Sequence, residues 1–425
     1  MLAFPEGFLF GAATSSHQVE GDNRHNDWWD WEQQAGKIHD GTRSGQACGW
    51  WAGRAEGDLR LAAELGHGAH RMSLEWSRLE PEPGRWDDAA FERYRAILGA
   101  GRDAGLKMAV TAHHFTLPRW LAARGAWLSA ETVDRFERYC AECGRRLGDL
   151  VDLWITMNEP SILAYQGYAG TQWPPGKGSP GAAFRAMRLM LMGHAAGARA
   201  LRRAHLSAKV GLVHNAPLFE PARGNVVDGA LAKVQDWSIT GMLVHALETG
   251  WLLPPMVTAP TRVPSLVASL DFFGLNFYGR YLVRFDRGAK EAFYGAHVQP
   301  DTIATEHTDW GQPWPEGLRA QLNRLRRLGV PLYVTENGVY DNTDTMRQRL
   351  IVDYLEAVHG AIADGVDVRG YFFWSLLDNF EWAEGWRTHF GLVAVDRQTG
   401  ERRPRPSAAI YARICGEGGI PSDLL

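Results

Sequence analysis

Two glutamates of this 425-residue chain stand where a carboxylate is costly: Glu159 closes the run VDLWITMNEP (151–160) and Glu336 closes PLYVTENG (331–338). Each follows an apolar, strand-like stretch and comes just before a turn, with Pro160 and Gly338 close behind. An ionised carboxylate in such a place is expensive to bury unless it has partners or a chemical task. A pair of acidic residues flanking a sugar is the minimal machinery for glycoside hydrolysis, with one an anion at the anomeric centre and the other holding a proton for the leaving oxygen. The competing explanation is solvated surface charge, because 49 residues are Asp or Glu.

The elements that would position the pair recur along the chain. Eight apolar, β-branched or aromatic runs alternate with stretches of helical periodicity. They are 7–15, 68–76, 106–115, 151–160, 208–217, 269–279, 331–338 and 368–378. Helices are predicted between them, among others over 58–66, 91–105, 132–148 and 345–365. Near-continuous apolar strands alternating with helices imply a parallel sheet covered on its outer face. Eight such units predict an α/β fold: one (β/α)₈ barrel domain over 1–425, with long loops at 19–57 and 279–315 around an active-site pocket. Most runs start apolar and end polar, at Glu75, His114, Glu159, Asn215, Asn276, Glu336 and Asp378, with Gln18 just past the first. In such a barrel the C-terminal strand ends converge, so Glu159 and Glu336, on strands four and seven, can face each other across the mouth.

Composition narrows the function classes. Net charge is −4 and no basic run or stripe is present, which gives no sign of a nucleic-acid or membrane partner. The N-terminal segment MLAFPEGFLFGAATSS lacks a basic stretch before an apolar one, and no apolar run approaches the roughly 20 residues of a membrane span, so the expected location is the cytoplasm. Cys140 and Cys143 form a C-x-x-C inside a helical pattern with no second pair to complete a zinc site, and no metal or cofactor is expected. The 18 Trp are the unusual component, several of them in polar contexts such as NDWWDWEQ, GTQWPPG, DWGQPWPEG and NFEWAEGW. Rings with polar neighbours suit sugars.

Over essentially the whole chain the sequence resembles glycoside hydrolase family 1, the β-glucosidase family. TMNEP (156–160) is similar to its acid/base motif and VTENG (334–338) to its nucleophile motif. FLFGAATSSHQVEG (8–21), HRMSLEWSR (70–78), GLNFYG (274–279), WPEGL (314–318) and FFWSLLDNFEWAEGW (372–386) match in place and order. The resemblance implies a retaining β-glycosidase acting on small β-glycosides or oligosaccharides with terminal glucosyl, galactosyl or fucosyl residues. Glu336 is then the nucleophile, kept ionised by Arg71 and hydrogen-bonded by Tyr278, and Glu159 the acid/base. Asn158 would bind the sugar 2-hydroxyl. Gln18, His114, Asn276, Tyr278, Glu381 and Trp382 belong to the implied substrate-binding set, with Trp374 as its stacking platform.

The chain departs from the family pattern in three places. Phe115 and Thr116 stand where a Trp and an Asp are usual, and Gln312 where a leaving-group-side Trp is expected, leaving Trp310 or Trp314 to substitute. Members that take 6-phosphorylated sugars carry a serine in place of Glu381, with a lysine and a tyrosine where this chain has Thr388 and Phe390. An anionic Glu381 would therefore repel a phosphate. The rival readings are a sugar-binding barrel without catalysis and a barrel enzyme acting on phosphorylated metabolites. The second would want a Gly-rich loop after strands seven and eight, where the chain has NGVYDN and DNFEWAEGW.

Overall fold

The structure is a computed structural model that describes residues 1–289, 292–299 and 310–425. Parts of the expected 279–315 loop, at 290–291 and 300–309, lie outside the described residues. The eight predicted runs form the strands Leu9–Ala13 (β1), Ala69–Ser73 (β2), Lys107–His113 (β3), Leu153–Asn158 (β4), Val210–Asn215 (β5), Phe272–Asn276 (β6), Leu332–Asn337 (β7) and Val368–Trp374 (β8). They pair in chain order, all parallel, and β8 returns to β1 to close a barrel.

An inner cluster draws on every strand: Ala13, Ala69, Ala109, Ile155, Val213, Phe272, Tyr333 and Phe372, with Trp374 a second residue from β8. The first three strands supply alanines and the last three supply aromatics. Large side chains from one side fill the space left by small ones on the other, so the barrel is a packed core and not a pore. Around it, helices such as Ala55–Glu64, Asp88–Asp103, Glu131–Leu147, Pro180–Ala204 and Thr345–Ala363 cover the strands' outer faces. The boundaries differ from those predicted by at most three residues. Asp87, for example, accepts a hydrogen bond from Ala90 N (3.0 Å) and starts its helix three residues before the predicted 91.

The loops carry structure that periodicity does not reveal. Within 19–57, Asn26 caps the helix Asp27–Glu32, whose Trp28 and Trp31 are buried. The segments after β5 and β6 build a small sheet from Leu218–Pro221, Arg280–Phe285 and Gly295–Val298. Gly338, just after β7, lies so close to β8 that a Cβ there would meet the Trp374 carbonyl oxygen at 1.8 Å. Only glycine fits.

Candidate active site

The strand ends at the C-terminal mouth are irregular. The β6–β7 register shifts between Leu275 and Asn276, which sets Asn276 opposite Glu336, and the β4–β5 register shifts just before Asn158. Such irregularities re-aim side chains at a barrel rim. Glu159 follows with left-handed backbone (φ 47°), its N–H donating to Val213 O at 2.8 Å. Phe115 (φ 72°) and Trp382 (φ 48°) are also left-handed. Each costs of order 1–3 kcal/mol for a residue with a Cβ, and clusters of such strain mark functional sites.

The two carboxylates have opposite surroundings. Glu336 accepts hydrogen bonds from Arg71 Nη1 on one oxygen and from the Tyr278 hydroxyl on the other (2.7 Å). A cation and a hydroxyl on the two oxygens suit a carboxylate anion. Burial, and next the charge of Glu336, push the Tyr278 hydroxyl well above its ordinary range, so it stays a donor. Glu159 accepts from Asn276 Nδ2 (2.6 Å). Burial, then the negative charge of Glu336, push its carboxyl up to about 8, against the Asn276 bond and the more distant Arg71. One group is built to be an anion and the other to hold a proton.

Asn158 links the two. Its Oδ1 accepts from Arg71 Nη2 (2.7 Å) and Asn276 Nδ2 (3.2 Å), so its Nδ2 donates to His114 Nε2 at 3.2 Å. Burial and the Arg71 charge hold His114 far below its usual pKa, hence neutral. Its ring continues a stack running from His17 through Trp382 and His114 to Trp374, with centroid spacings of 5.7, 6.0 and 6.1 Å. Glu381, hydrogen-bonded by Gln18 (3.0 Å) and Trp374, is pushed up to about 8 by burial and by Glu336. This corrects the expectation of an anionic Glu381: near pH 7 the carboxyl is mostly protonated, and its repulsion of a phosphate develops only at higher pH.

His114, Asn158, Glu159, Tyr278, Glu336, Trp374, Glu381 and Trp382 line one cavity of about 380 Å³. Arg71, Gln18 and Asn276 stand behind its wall, each buried and bonded to a carboxylate that faces it. Other polar strand ends do structural work. Asp378 pairs with Arg405 (2.7 Å), His214 lies between Ser161 and Thr240 (3.3 Å each), and Glu75 accepts from Asn26 and Thr116. Trp310 lines the cavity, whereas Trp314 lies under the Arg280 guanidinium, 3.4 Å from its ring centroid, and Gln312 binds the same arginine. Trp173, Gln166, Tyr281 and the His39–Glu384 pair also line it and were not singled out from the sequence. Only the Trp in GTQWPPG carried a usable signal. Among the described residues no group of three or more His, Cys, Asp or Glu side chains is placed to hold a metal ion.

Comparison with known proteins agrees with this geometry. The profile of glycosyl hydrolase family 1 matches residues 2–419. A thermostable beta-glucosidase B of Thermobispora bispora is 34% identical over 99% of this chain and 92% of its own. A beta-galactosidase of Pyrococcus woesei is 29% identical over 99% of this chain and 98% of its own. The solved structure of a beta-glycosidase from Pyrococcus horikoshii superposes with a TM-score of 0.91 at 39% identity, covering 100% of this chain and 97% of that one. With its closed eight-stranded barrel and the carboxylates at its mouth, the chain belongs to glycosyl hydrolase family 1.

Proposed function

We propose that the protein is a retaining β-glycosidase that removes terminal β-glucosyl residues, and β-galactosyl or β-fucosyl residues as well, from small glycosides or oligosaccharides. The observation that carries this reading is the division of labour between Glu336, held by Arg71 and Tyr278, and Glu159, pushed up to about 8 by burial and by Glu336.

In the first step a Glu336 oxygen attacks the anomeric carbon while Glu159 gives its proton to the departing oxygen. The glycosidic C–O bond breaks, the aglycone leaves as a neutral alcohol, and a glycosyl ester remains on Glu336. Forming the ester removes the negative charge that helps hold the proton on Glu159, so Glu159 becomes more acidic when it must turn base. It then takes a proton from water, which attacks the same carbon and releases Glu336. Two inversions restore the β configuration. Asn158, His114 and Glu381 read the sugar hydroxyls and Trp374 and Trp382 supply ring faces, with Gln18 holding Glu381 from behind the wall and Asn276 and Tyr278 orienting the catalytic pair. All four cysteines are free thiols, which supports a reducing, cytoplasmic location. No helix among the described residues is long and apolar enough to cross a membrane.

Replacing the nucleophile tests the assignment. Glu336→Gly should abolish hydrolysis, and azide should restore turnover of an activated aryl glycoside with an α-glycosyl azide as product. A β-azide, or α-azide rescue of Glu159→Gly instead, would mean that the roles are reversed.

A further inference from the structure

The register shift between β6 and β7 frees one side chain from the ladder. Leu275 lies opposite Val334 and Asn276 opposite Glu336, so Thr335 is an extra residue with no partner on β6. Its side chain packs over Gly274, where a Cβ would meet Thr335 Oγ1 and Cγ2 at 2.8 Å each. Thr335 is buried, and its hydroxyl donates to Asn276 Oδ1 at 2.8 Å.

The direction of that bond follows from its neighbours. An arginine can only donate, so Asn158 Oδ1, which receives Arg71 Nη2 at 2.7 Å, is an acceptor. Asn276 therefore turns its Nδ2 toward Asn158 Oδ1 (3.2 Å) and Glu159 Oε1 (2.6 Å), and its Oδ1 the other way, onto Thr335. Without the hydroxyl this carbonyl would be a buried acceptor with no donor, and the amide would gain by turning it toward a protonated Glu159.

A protonated carboxyl has one carbonyl oxygen and one hydroxyl oxygen. The Asn276 N–H at 2.6 Å makes Oε1 the carbonyl oxygen and leaves Oε2 to carry the hydrogen. A turned amide would reverse this, so that Glu159 held its proton on Oε1 and spent it on the Asn276 carbonyl. We propose that Thr335 is a positioning residue for the acid/base step: by fixing the Asn276 amide it keeps the Glu159 proton on Oε2. From there the proton passes to the leaving oxygen, which departs with the electron pair of the broken glycosidic bond. The proposal rests on the β-glycosidase reading above and deepens it.

Thr335→Val, which exchanges the hydroxyl for a methyl, tests it on phenyl and dinitrophenyl β-glucosides. The loss in kcat/KM should be about tenfold or more greater on the phenyl compound, whose leaving oxygen needs the proton. Thr335→Ala, which adds no methyl, should widen the same ratio, and Thr335→Ser should return it to within about threefold of the parent. The Asn276 bond lowers the Glu159 pKa, so loosening it should move the alkaline limb of the valine variant up by about half a unit or more. Glu336 of β7, Arg71 of β2 and Glu381 beyond β8, the charged groups acting on Glu159, and Tyr278 and His114 beside it are unchanged in these variants. Asn276→Ala should widen the ratio too, and adding Thr335→Val to it should change the ratio by no more than about twofold, because the hydroxyl acts through the amide. Equal losses on the two substrates, an unmoved limb, a serine variant as impaired as the valine one, or multiplying effects in the double variant overturn the proposal while leaving the catalytic assignment intact. If the unmodified protein cleaves neither glucoside nor their galactosyl and fucosyl counterparts, the β-glycosidase reading itself falls.

Discussion

The two mouths of the barrel both hold a cavity rimmed by charge, and the larger lies at the wrong end. At the N-terminal mouth, Lys107, Asp152, Asp367 and Arg369 surround about 530 Å³, against about 380 Å³ at the catalytic end. There the charges are matched and wet. Lys107 and Arg102 pair with Asp152 (3.2 and 3.1 Å), Arg369 pairs with Asp367 (2.8 Å), and the Arg369 and Asp367 side chains are 56% and 54% exposed. At the C-terminal mouth Glu159, Glu336 and Glu381 are all buried, with Arg71 the cation bonded to Glu336. Volume does not separate a site from a dimple. Acidic groups crowded away from water do, because ionising them there is costly and the arrangement is kept where chemistry uses it.

Substitutions at the two ends should differ by orders of magnitude. The largest effect is expected for Glu159→Gln, with a loss of about 10²–10⁴ in kcat on glycosides with poor leaving groups. Dinitrophenyl glycosides, which need little protonation, should suffer far less in the glycosylation step. Equal loss across a leaving-group series would remove Glu159 from the acid role.

Next comes the phosphate at position 6 of the sugar. No lysine awaits it at Thr388, and an ionised Glu381 about 4 Å away would oppose it by roughly 4 kcal/mol per unit charge pair at an effective dielectric of about 20. Because Glu381 ionises only near 8, the preference for p-nitrophenyl β-glucoside over its 6-phosphate should widen with pH, reaching several hundredfold above pH 8. A pH-independent ratio would show that Glu381 is not the discriminating group.

The pH profile itself sharpens the contrast. A general acid must carry its proton, so kcat/KM should fall above about pH 8, approaching tenfold per unit, as Glu159 ionises. That limb should vanish in Glu159→Gln assayed with a dinitrophenyl glycoside. The smallest effect belongs to the other mouth. Arg369→Ala breaks an exposed pair and should change stability by no more than about 1 kcal/mol in a denaturant titration, with kcat/KM within twofold of the parent. A larger change in activity would mean that the two ends communicate.

How much of this was legible in the sequence depends on what each residue touches. The eight strands were readable because a strand buried on both faces must be apolar for its whole length, and a polar residue at its end breaks the run visibly. The same signal overreached at Glu75 and Asp378, since a polar strand end that anchors a loop looks in sequence like one that faces a ligand. Tryptophan was ambiguous for a related reason. Trp28 and Trp173 both sit in polar-looking segments, yet Trp28 is buried 4.7 Å behind Trp382 while Trp173 lines the cavity. Local composition does not encode which side of a loop faces inward. The sheet carrying Tyr281 and His297 was invisible because its strands are short and half-exposed, without the apolar continuity that announces β1 to β8.

The left-handed turn at Glu159 makes the active site a target in any search for a hardier protein. Glycine is at ease in that conformation and carries no carboxyl into the pocket, so Glu159→Gly removes a backbone penalty and an ionisable group at once. The same replacement removes the group proposed to move the proton. A library screened for survival at high temperature alone would accordingly accumulate changes at this codon early, and its hardiest members would be the least active. Screens for robustness in this chain need turnover as a second criterion from the first round.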